Sequence, residues 1–142
     1  MIFMVLRAQD PSFPVDTFLS RHSVQASYVW RKGEPRRRGL THEDSGFSIQ
    51  LPDVASWVVG LPSVKAYIES RRHIFEDLQQ IDAEVVLDIG VTVGEEESYA
   101  PSLSFPKDFL ALLITLGINL NVSAYPTAAQ AGSDMPRSGE SG

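Results

Sequence analysis

The residues best suited to binding chemistry are a run of cations between two predicted strands. Five of the eight residues from 31 to 38 are basic and one is acidic, which makes a local charge of plus four. Guanidinium groups hold phosphate or carboxylate through paired hydrogen bonds, so this loop is a candidate anion site. The alternative is a solvated loop attracted to the acidic remainder of the chain, which is the commoner fate of a charge run. The candidate ligand-binding residues are Trp30, Arg31, Lys32, Arg36, Arg37 and Arg38.

A second candidate is the tripeptide at residues 42–44, which places an imidazole beside two carboxylates in the same loop. His42, Glu43 and Asp44 have the chemistry to bind a divalent metal or to accept a proton. Zinc sites need three or four converging protein ligands, and no second histidine lies nearby in the sequence. A solvated loop is the favoured interpretation, and we predict no metal.

The motifs that mark common enzymes are missing from the chain. It has no G-x-S-x-G elbow, no G-x-G-x-x-G fingerprint, no H-E-x-x-H pair and no phosphate loop. The absence of cysteine excludes disulfides, thiolate metal ligands and thiol catalysis. We therefore expect no catalytic residue and no cofactor, which favours a non-catalytic role.

The remaining histidines and a run of acidic residues have structural explanations. His73 lies four residues from both Glu69 and Asp77 on a predicted helix, where such pairs stabilise a surface by roughly 0.2–0.5 kcal/mol. His22 ends a shorter helix, where the helix dipole favours a cation. Three successive carboxylates at residues 95–97 are typical of a solvated turn.

Hydrophobic periodicity predicts the elements that position these residues. Pro52 and Asp53 should end a strand, residues 57–61 form an apolar stretch without a clear assignment, and Pro62 suits the first turn of the main helix. Gly117 is expected to cap the last helix. The predicted elements are, in order, a strand at 2–7, a helix at 15–22, a strand at 24–30, a loop at 31–45, a strand at 47–51, a helix at 62–81, a strand at 85–93, a short extended piece at 101–105, a helix at 107–116 and a strand at 118–124.

This order predicts an α+β fold with a single, mainly antiparallel sheet of about five strands and with helices packed on one face. The motifs F-P-V-D at residues 13–16 and F-P-K-D at residues 105–108 each open a helix, so a ferredoxin-like arrangement with pseudo-repeated halves is one form of this fold. The alternative is that both motifs are simply good helix-start chemistry. Residues 1–126 are expected to form one domain, and residues 127–142 a disordered tail.

The charge of the chain limits the classes of partner that it is expected to bind. A net charge of −6 argues against nucleic acid and against an anionic membrane surface, and outside the basic run the residues sum to minus ten. No apolar stretch is suited to a membrane span, and the lack of cysteine is compatible with a cytoplasmic location. An acidic surface steers association toward basic partners.

The order of several motifs resembles a family of small bacterial proteins catalogued as domain-of-unknown-function family 4279. The shared elements are W-R-K-G-E-P at residues 30–35 with a basic stretch after it, G-F-S-I at 46–49, L-S-F at 103–105 and the segment 112–125. The family often has Trp where this chain has Phe47. The resemblance implies an α+β sheet with helices on one side and transfers no catalytic residue. It marks Trp30, Lys32 and Gly33 as signature positions, with Trp30 expected to cap the core.

The sequence supports two hypotheses about function. The first is a protein-binding module, such as an immunity-type protein that neutralises a basic toxin or nuclease by covering its active surface. The second is a domain that binds a small anion, or an unrecognised enzyme, that uses Trp30 and the basic loop. A pocket where that loop and Trp30 converge would favour the second, and a flat acidic face with exposed apolar residues would favour the first.

Overall fold

Five strands and four α-helices make up the part of the chain that the computed structural model describes, residues 1–94 and 102–126. They form the predicted α+β fold. The predicted tail at 127–142 and the acidic turn at 95–97 lie outside the described residues. The elements are β1 (Ile2–Asp10), α1 (Val15–His22), β2 (Tyr28–Trp30), a 3₁₀ turn (Arg37–Gly39), β3 (Ser45–Val54), α2 (Trp57–Ser70), α3 (Arg72–Gln80), β4 (Glu84–Val93), α4 (Lys107–Thr115) and β5 (Ile118–Pro126).

The strands form one mixed sheet in the order β2-β3-β1-β4-β5. The central strand β1 pairs antiparallel with β3 and β4, β2 pairs antiparallel with β3, and β5 lies parallel to β4. The first four strands thus follow the split β-α-β order of ferredoxin-like folds. The α4–β5 unit extends this sheet by one parallel strand.

One face of the sheet carries the hydrophobic core. Inward side chains alternate along β1 and β4, as the two-residue period of a strand requires. Met4 and Leu87 from the sheet are fully buried, together with Ile68 on α2 and Phe109 on α4. Because each of the four helices contributes buried residues to this core, the helices of the described segments cover this side of the sheet.

β1 is less uniformly buried than its sequence predicts. It continues past Arg7 to Asp10, and its outward side chains Arg7 and Gln9 pair with residues of β4. The outward residues Phe3 and Val5 are half-buried. Only one face of β1 therefore belongs to the core.

β3 also continues further than predicted. Pro52 and Asp53 were expected to end this strand, but it extends through both residues to Val54. The register against β1 shifts between the pairs Ile2–Val54 and Met4–Leu51. A β-bulge of this kind accommodates a proline, which cannot donate to the ladder.

β2 is shorter than the predicted strand at 24–30. Val24 and Ala26 pack against the core, whereas the regular strand begins only at Tyr28. From there Val29 is directed to the core, and Tyr28 and Trp30 face the opposite side. The expectation that all four alternate residues share one face is therefore wrong, because the chain bends at residue 27 before it enters the sheet.

The apolar stretch at 57–61 forms the start of α2. Trp57 is buried, and its indole N–H donates to the Ser104 carbonyl at 2.7 Å, which fixes this helix end against the segment before α4. Pro62 therefore lies inside α2 and not in a first turn. The predicted helix at 62–81 is two helices, because Arg71 leaves helical geometry between α2 and α3. None of the helices in residues 1–94 and 102–126 is long and apolar enough to cross a membrane.

The two F-P-x-D motifs play the same local role. Asp16 in the first turn of α1 pairs with Arg31, and Asp108 in the first turn of α4 pairs with Lys65. The strands that follow differ in position, since β2 is separated from β1 by β3, whereas β5 lies directly beside β4. Each motif supplies an acidic group where the helix dipole favours one. At the other end of α4, Gly117 adopts the left-handed conformation expected of a cap (φ 69°).

Candidate binding face

The side of the sheet opposite the core forms a broad concave surface, which we call the open face. Its cavity of about 1200 Å³ is lined by residues from all five strands and from the loop between β2 and β3. Typical small-molecule pockets enclose about 300–1,000 Å³ and bury most of their ligand. The open face is therefore wider and more exposed than such a pocket.

Two aromatic rings lie on the open face over glycines of the neighbouring strands. A Cβ at Gly46 would fall 2.6 Å from the Trp30 ring and closer still to the Ala8 carbonyl oxygen. A Cβ at Gly90 would fall 3.0 Å from the Tyr125 ring. Each glycine thus leaves the space that an aromatic side chain occupies, a known way of covering glycine in a sheet.

The two aromatic positions lie near opposite corners of the open face. Gly46 is paired with Gln9 of β1, and Gly90 is paired with Phe3 of the same strand. Gln9 and Phe3 are six residues apart, which corresponds to about 20 Å along an extended strand. A small ligand cannot contact both corners, whereas an extended polypeptide of about six residues spans that distance.

Between these corners the open face carries charged and amide groups that pair across strands. Arg7 on β1 forms an ion pair with one Asp88 oxygen, and Asn121 on β5 donates to the other at 2.7 Å. Gln9 donates to Glu84 at 3.1 Å. The centre thus carries polar groups that already have partners, beside the half-buried side chains of Phe3 and Val5.

The corner near β2 is an aromatic stack. Trp30 is only 6% exposed, and its ring centroid lies 5.7 Å from that of Tyr28 and 6.0 Å from that of His42. Its indole N–H donates to an Asp44 carboxylate oxygen at 3.0 Å. Trp30 is buried, but it lies over Gly46 on the open face and not at the core that it was expected to cap.

Of the six residues predicted to bind a ligand, Trp30 and Arg36 line the open face. Arg31 is directed to α1 instead, where its guanidinium donates to both Asp16 oxygens at 2.9 and 2.6 Å. The hydrogen bond from Arg31 holds the pKa of Asp16 below its usual range, and the carboxylate in turn raises the pKa of Arg31. Arg31 also lies 3.5 Å from Glu34, so it ties the basic loop to the first helix.

The other three predicted residues lie along the exposed part of the loop. Lys32 donates its backbone N–H to the Ser45 hydroxyl at 2.9 Å, and its side chain is exposed. Arg37 and Arg38 form the 3₁₀ turn, with Arg38 in the left-handed conformation at φ 61°. None of these three lines the open face.

Among the residues that the structure describes, three carboxylates and two guanidinium groups line the open face. Arg7 and Asp88 neutralise each other. This pairing leaves Glu43, Asp44 and Arg36 as the charged lining of the Trp30 corner, an excess of one carboxylate. The other cations of the basic loop lie beside this lining and do not form part of it.

His22 lies in the last turn of α1, as the sequence predicts, but its packing is closer than that position alone suggests. Its side chain is only 7% exposed, its ring centroid lies 4.4 Å from that of Phe18, and the His73 ring centroid lies 5.7 Å away on α3. The Nε2 atom is 3.0 Å from an Asp77 oxygen without hydrogen-bond geometry. His22 thus joins α1 to α3. The sequence indicates its inward orientation, because His22 lies four residues after the inward Phe18 on the same helix.

Neither this cluster nor the His42 segment forms a metal centre. Within residues 1–94 and 102–126, no three His, Asp or Glu side chains are placed to hold a metal ion. His42 stacks on Trp30, and Asp44 accepts the indole N–H. Both side chains therefore have structural roles at the aromatic corner.

The polar centre of the open face was missed altogether. Arg7, Asp88 and Asn121 are far apart in sequence and match no motif. The available signal was a charged residue at an outward position of an otherwise apolar strand, in β1 for Arg7 and in β4 for Asp88. Only the strand order reveals that the two residues are neighbours.

Comparisons with known proteins found no match, whether to a protein-family model, to a curated protein or to a solved structure. The resemblance to family 4279 therefore stays a prediction. The function has to be argued from the geometry and charge of the open face.

Proposed function

We propose that this protein is a non-catalytic binding module that captures a segment of a basic protein partner on its open face. An immunity-type inhibitor, which covers the active surface of a toxin or nuclease, is the kind of protein this describes. The observation that carries the proposal is the pair of aromatic corners, Trp30 and Tyr125, placed about 20 Å apart on one concave surface. Contacts over that length suit an extended chain better than a compact ligand.

The exposed aromatic side chains are well placed to serve as anchors. Tyr28 is 57% exposed and Tyr125 is 47% exposed, and tyrosine and tryptophan are enriched among the residues that dominate binding energy. Tyr28 is backed by Trp30, and Tyr125 lies over Gly90. Because these rings are already held against the sheet, their side chains lose less conformational entropy when a partner binds.

Electrostatics favour a basic partner. The chain has a net charge of −6, and the Trp30 corner holds two carboxylates against one guanidinium group. Complementary charge steers encounter and excludes partners of like charge. Arg7 and Asp88 are already paired, so a partner that covers them buries no isolated charge.

The proposal is tested by affinity capture from the native cell with two matched variants. Ser48→Arg introduces a bulky cation into the open face, whereas Val58→Arg introduces the same cation at an exposed site on α2. We expect wild type and Val58→Arg to retain a basic protein. Ser48→Arg should retain no more than one-tenth as much of that protein, while its cooperative thermal unfolding shows that it is folded. The proposal would be wrong if all three proteins retained the partner equally, or if wild type captured no protein partner.

A second candidate function is the binding of a small anion at the aromatic corner alone. The observation that favours it is that Trp30, Arg36 and His42 all line the same end of the open face. It predicts that a phosphate- or carboxylate-bearing metabolite raises the melting temperature of wild type and that Arg36→Ala abolishes the shift. A broad metabolite screen without any shift would count against this candidate and leave the protein partner in place.

A further inference from the structure

The two edges of the sheet differ in how well they are protected from pairing. β2 at one edge is only three residues long and leads into the basic loop. β5 at the other edge is nine residues long, and no strand within residues 1–94 and 102–126 pairs with its outer side. Sheet proteins usually protect such an edge with charged side chains or short strands, and β5 contains neither Asp, Glu, Lys nor Arg.

On the helix-covered side of the sheet, side chains are less buried toward the β5 edge. Ile89 on β4 is buried, yet its partner Val122 on β5 is 45% exposed. Leu120 is half-buried, and Ala124 further along the same side is exposed. The helix-covered side of β5 therefore ends in apolar side chains that remain in contact with solvent.

We propose that a second copy of this chain pairs antiparallel with β5 and joins the two sheets into one of ten strands. A strand that pairs with its own copy about a two-fold axis must complement itself. With full overlap of residues 118–126, the axis passes at Val122, so this residue meets its own counterpart. Leu120 then meets Ala124 on the helix side, and Asn121 meets Ser123 on the open face.

This register brings apolar side chains together on one side and amide and hydroxyl groups on the other. It also avoids the like-charge contacts that a two-fold axis creates when a charged residue lies near it. Each copy carries a net charge of −6, and the uncharged β5 strand permits close approach. Higher ionic strength should strengthen the dimer, because it screens the repulsion between the two acidic copies.

The first test is sedimentation velocity over roughly 1–200 µM, the range of moderate association constants. Wild type should move from the mass of one chain toward that of two, with tighter association at higher salt. Val122→Lys should weaken association at least tenfold. The control Ile114→Lys adds the same cation at an apolar residue of α4 that is 77% exposed, and it should behave as wild type.

The second test uses the absence of cysteine and does not depend on how well the lysine variant folds. Val122→Cys should form a disulfide-linked dimer under mild oxidation, and Ile114→Cys should not. A mixture of Leu120→Cys and Ala124→Cys should cross-link between the two variants in preference to either with itself. A wild type that stays monomeric to 200 µM, or cross-linking at Ile114→Cys equal to that at Val122→Cys, would overturn the proposal.

Discussion

Leu87 and Asp88 are neighbours on β4 and lie on opposite faces of the sheet. Leu87 is fully buried in the core, whereas Asp88 bonds to Arg7 and Asn121 on the open face. On the face covered by helices, side-chain volume limits which residues are tolerated, since close-packed interiors tolerate few changes of size. On the open face, the positions and charges of the side chains matter more, because these side chains contribute little to the core. One face thus maintains the fold, and the other is the surface that we propose binds a partner.

The largest expected effect comes from changing the two neighbours separately. Leu87→Ala removes buried volume and should lower the free energy of unfolding by about 2–5 kcal/mol. Asp88→Asn weakens a partly exposed ion pair and should cost about 1 kcal/mol or less. Denaturant titration of both variants measures the difference. Similar losses for the two would contradict the division of roles between the faces.

The next largest effect separates the two glycines of the open face. Gly46→Ala meets the Ala8 backbone oxygen and the buried Trp30 ring, neither of which can move freely, so we expect a loss of about 1–3 kcal/mol. Gly90→Ala meets the ring of the half-exposed Tyr125, which can shift toward solvent at a smaller cost. Thermal melts of both variants compare them, and a greater loss for Gly90→Ala would show that the Tyr125 corner is the more rigid.

A smaller effect is expected at the Trp30 corner. Asp44→Ala removes the acceptor of the indole N–H and should cost about 1 kcal/mol, whereas Asp44→Asn keeps an acceptor oxygen and should cost less. Trp57 is the other tryptophan of the chain, so a Trp57→Phe background lets fluorescence report on Trp30 alone. An unchanged Trp30 emission in Asp44→Ala would show that this hydrogen bond does not hold the ring.

The smallest effect concerns acid stability. Hydrogen bonds from Arg31 and Lys65 lower the pKa of Asp16 and of Asp108 in the folded protein. Their contribution is present above the unfolded-state pKa, which is about 3.9 for Asp, and is lost as pH falls toward the lowered folded-state pKa. The Asp16→Asn/Asp108→Asn double variant should therefore lose less stability than wild type between about pH 5 and pH 3. Parallel curves for the two proteins would argue against these pairs.

Much of the fold could be predicted from the sequence, because alternation is a local signal. β4 alternates cleanly over residues 85–93, and Gly117 marks the end of α4; both appear where they were predicted. The errors arose where tertiary contacts override local chemistry. Pro52 is accommodated by a bulge, and the hydrogen bond from Trp57 to the Ser104 carbonyl fixes the start of α2 earlier than Pro62 suggests.

The candidate site was less predictable than the fold. Trp30 and Arg36 line the open face, but a charge run does not reveal which of its side chains are directed elsewhere. Arg31 is held by Asp16 on α1, a contact across 15 residues that no local pattern predicts. Arg7 and Asp88 become neighbours only through the strand order.

The most direct test of the account is cysteine footprinting of the complex with the captured partner. Since the chain has no native cysteine, Ser48→Cys on the open face and Ile114→Cys on α4 each provide one thiol. Ser48 lies on β3, which is separated from the β5 edge by the two strands β1 and β4, so its labelling does not report on pairing between two copies. Partner binding should slow maleimide labelling at least tenfold at residue 48 and leave residue 114 unchanged. Protection at residue 114 with free labelling at residue 48 would contradict the assignment of the open face as the binding surface.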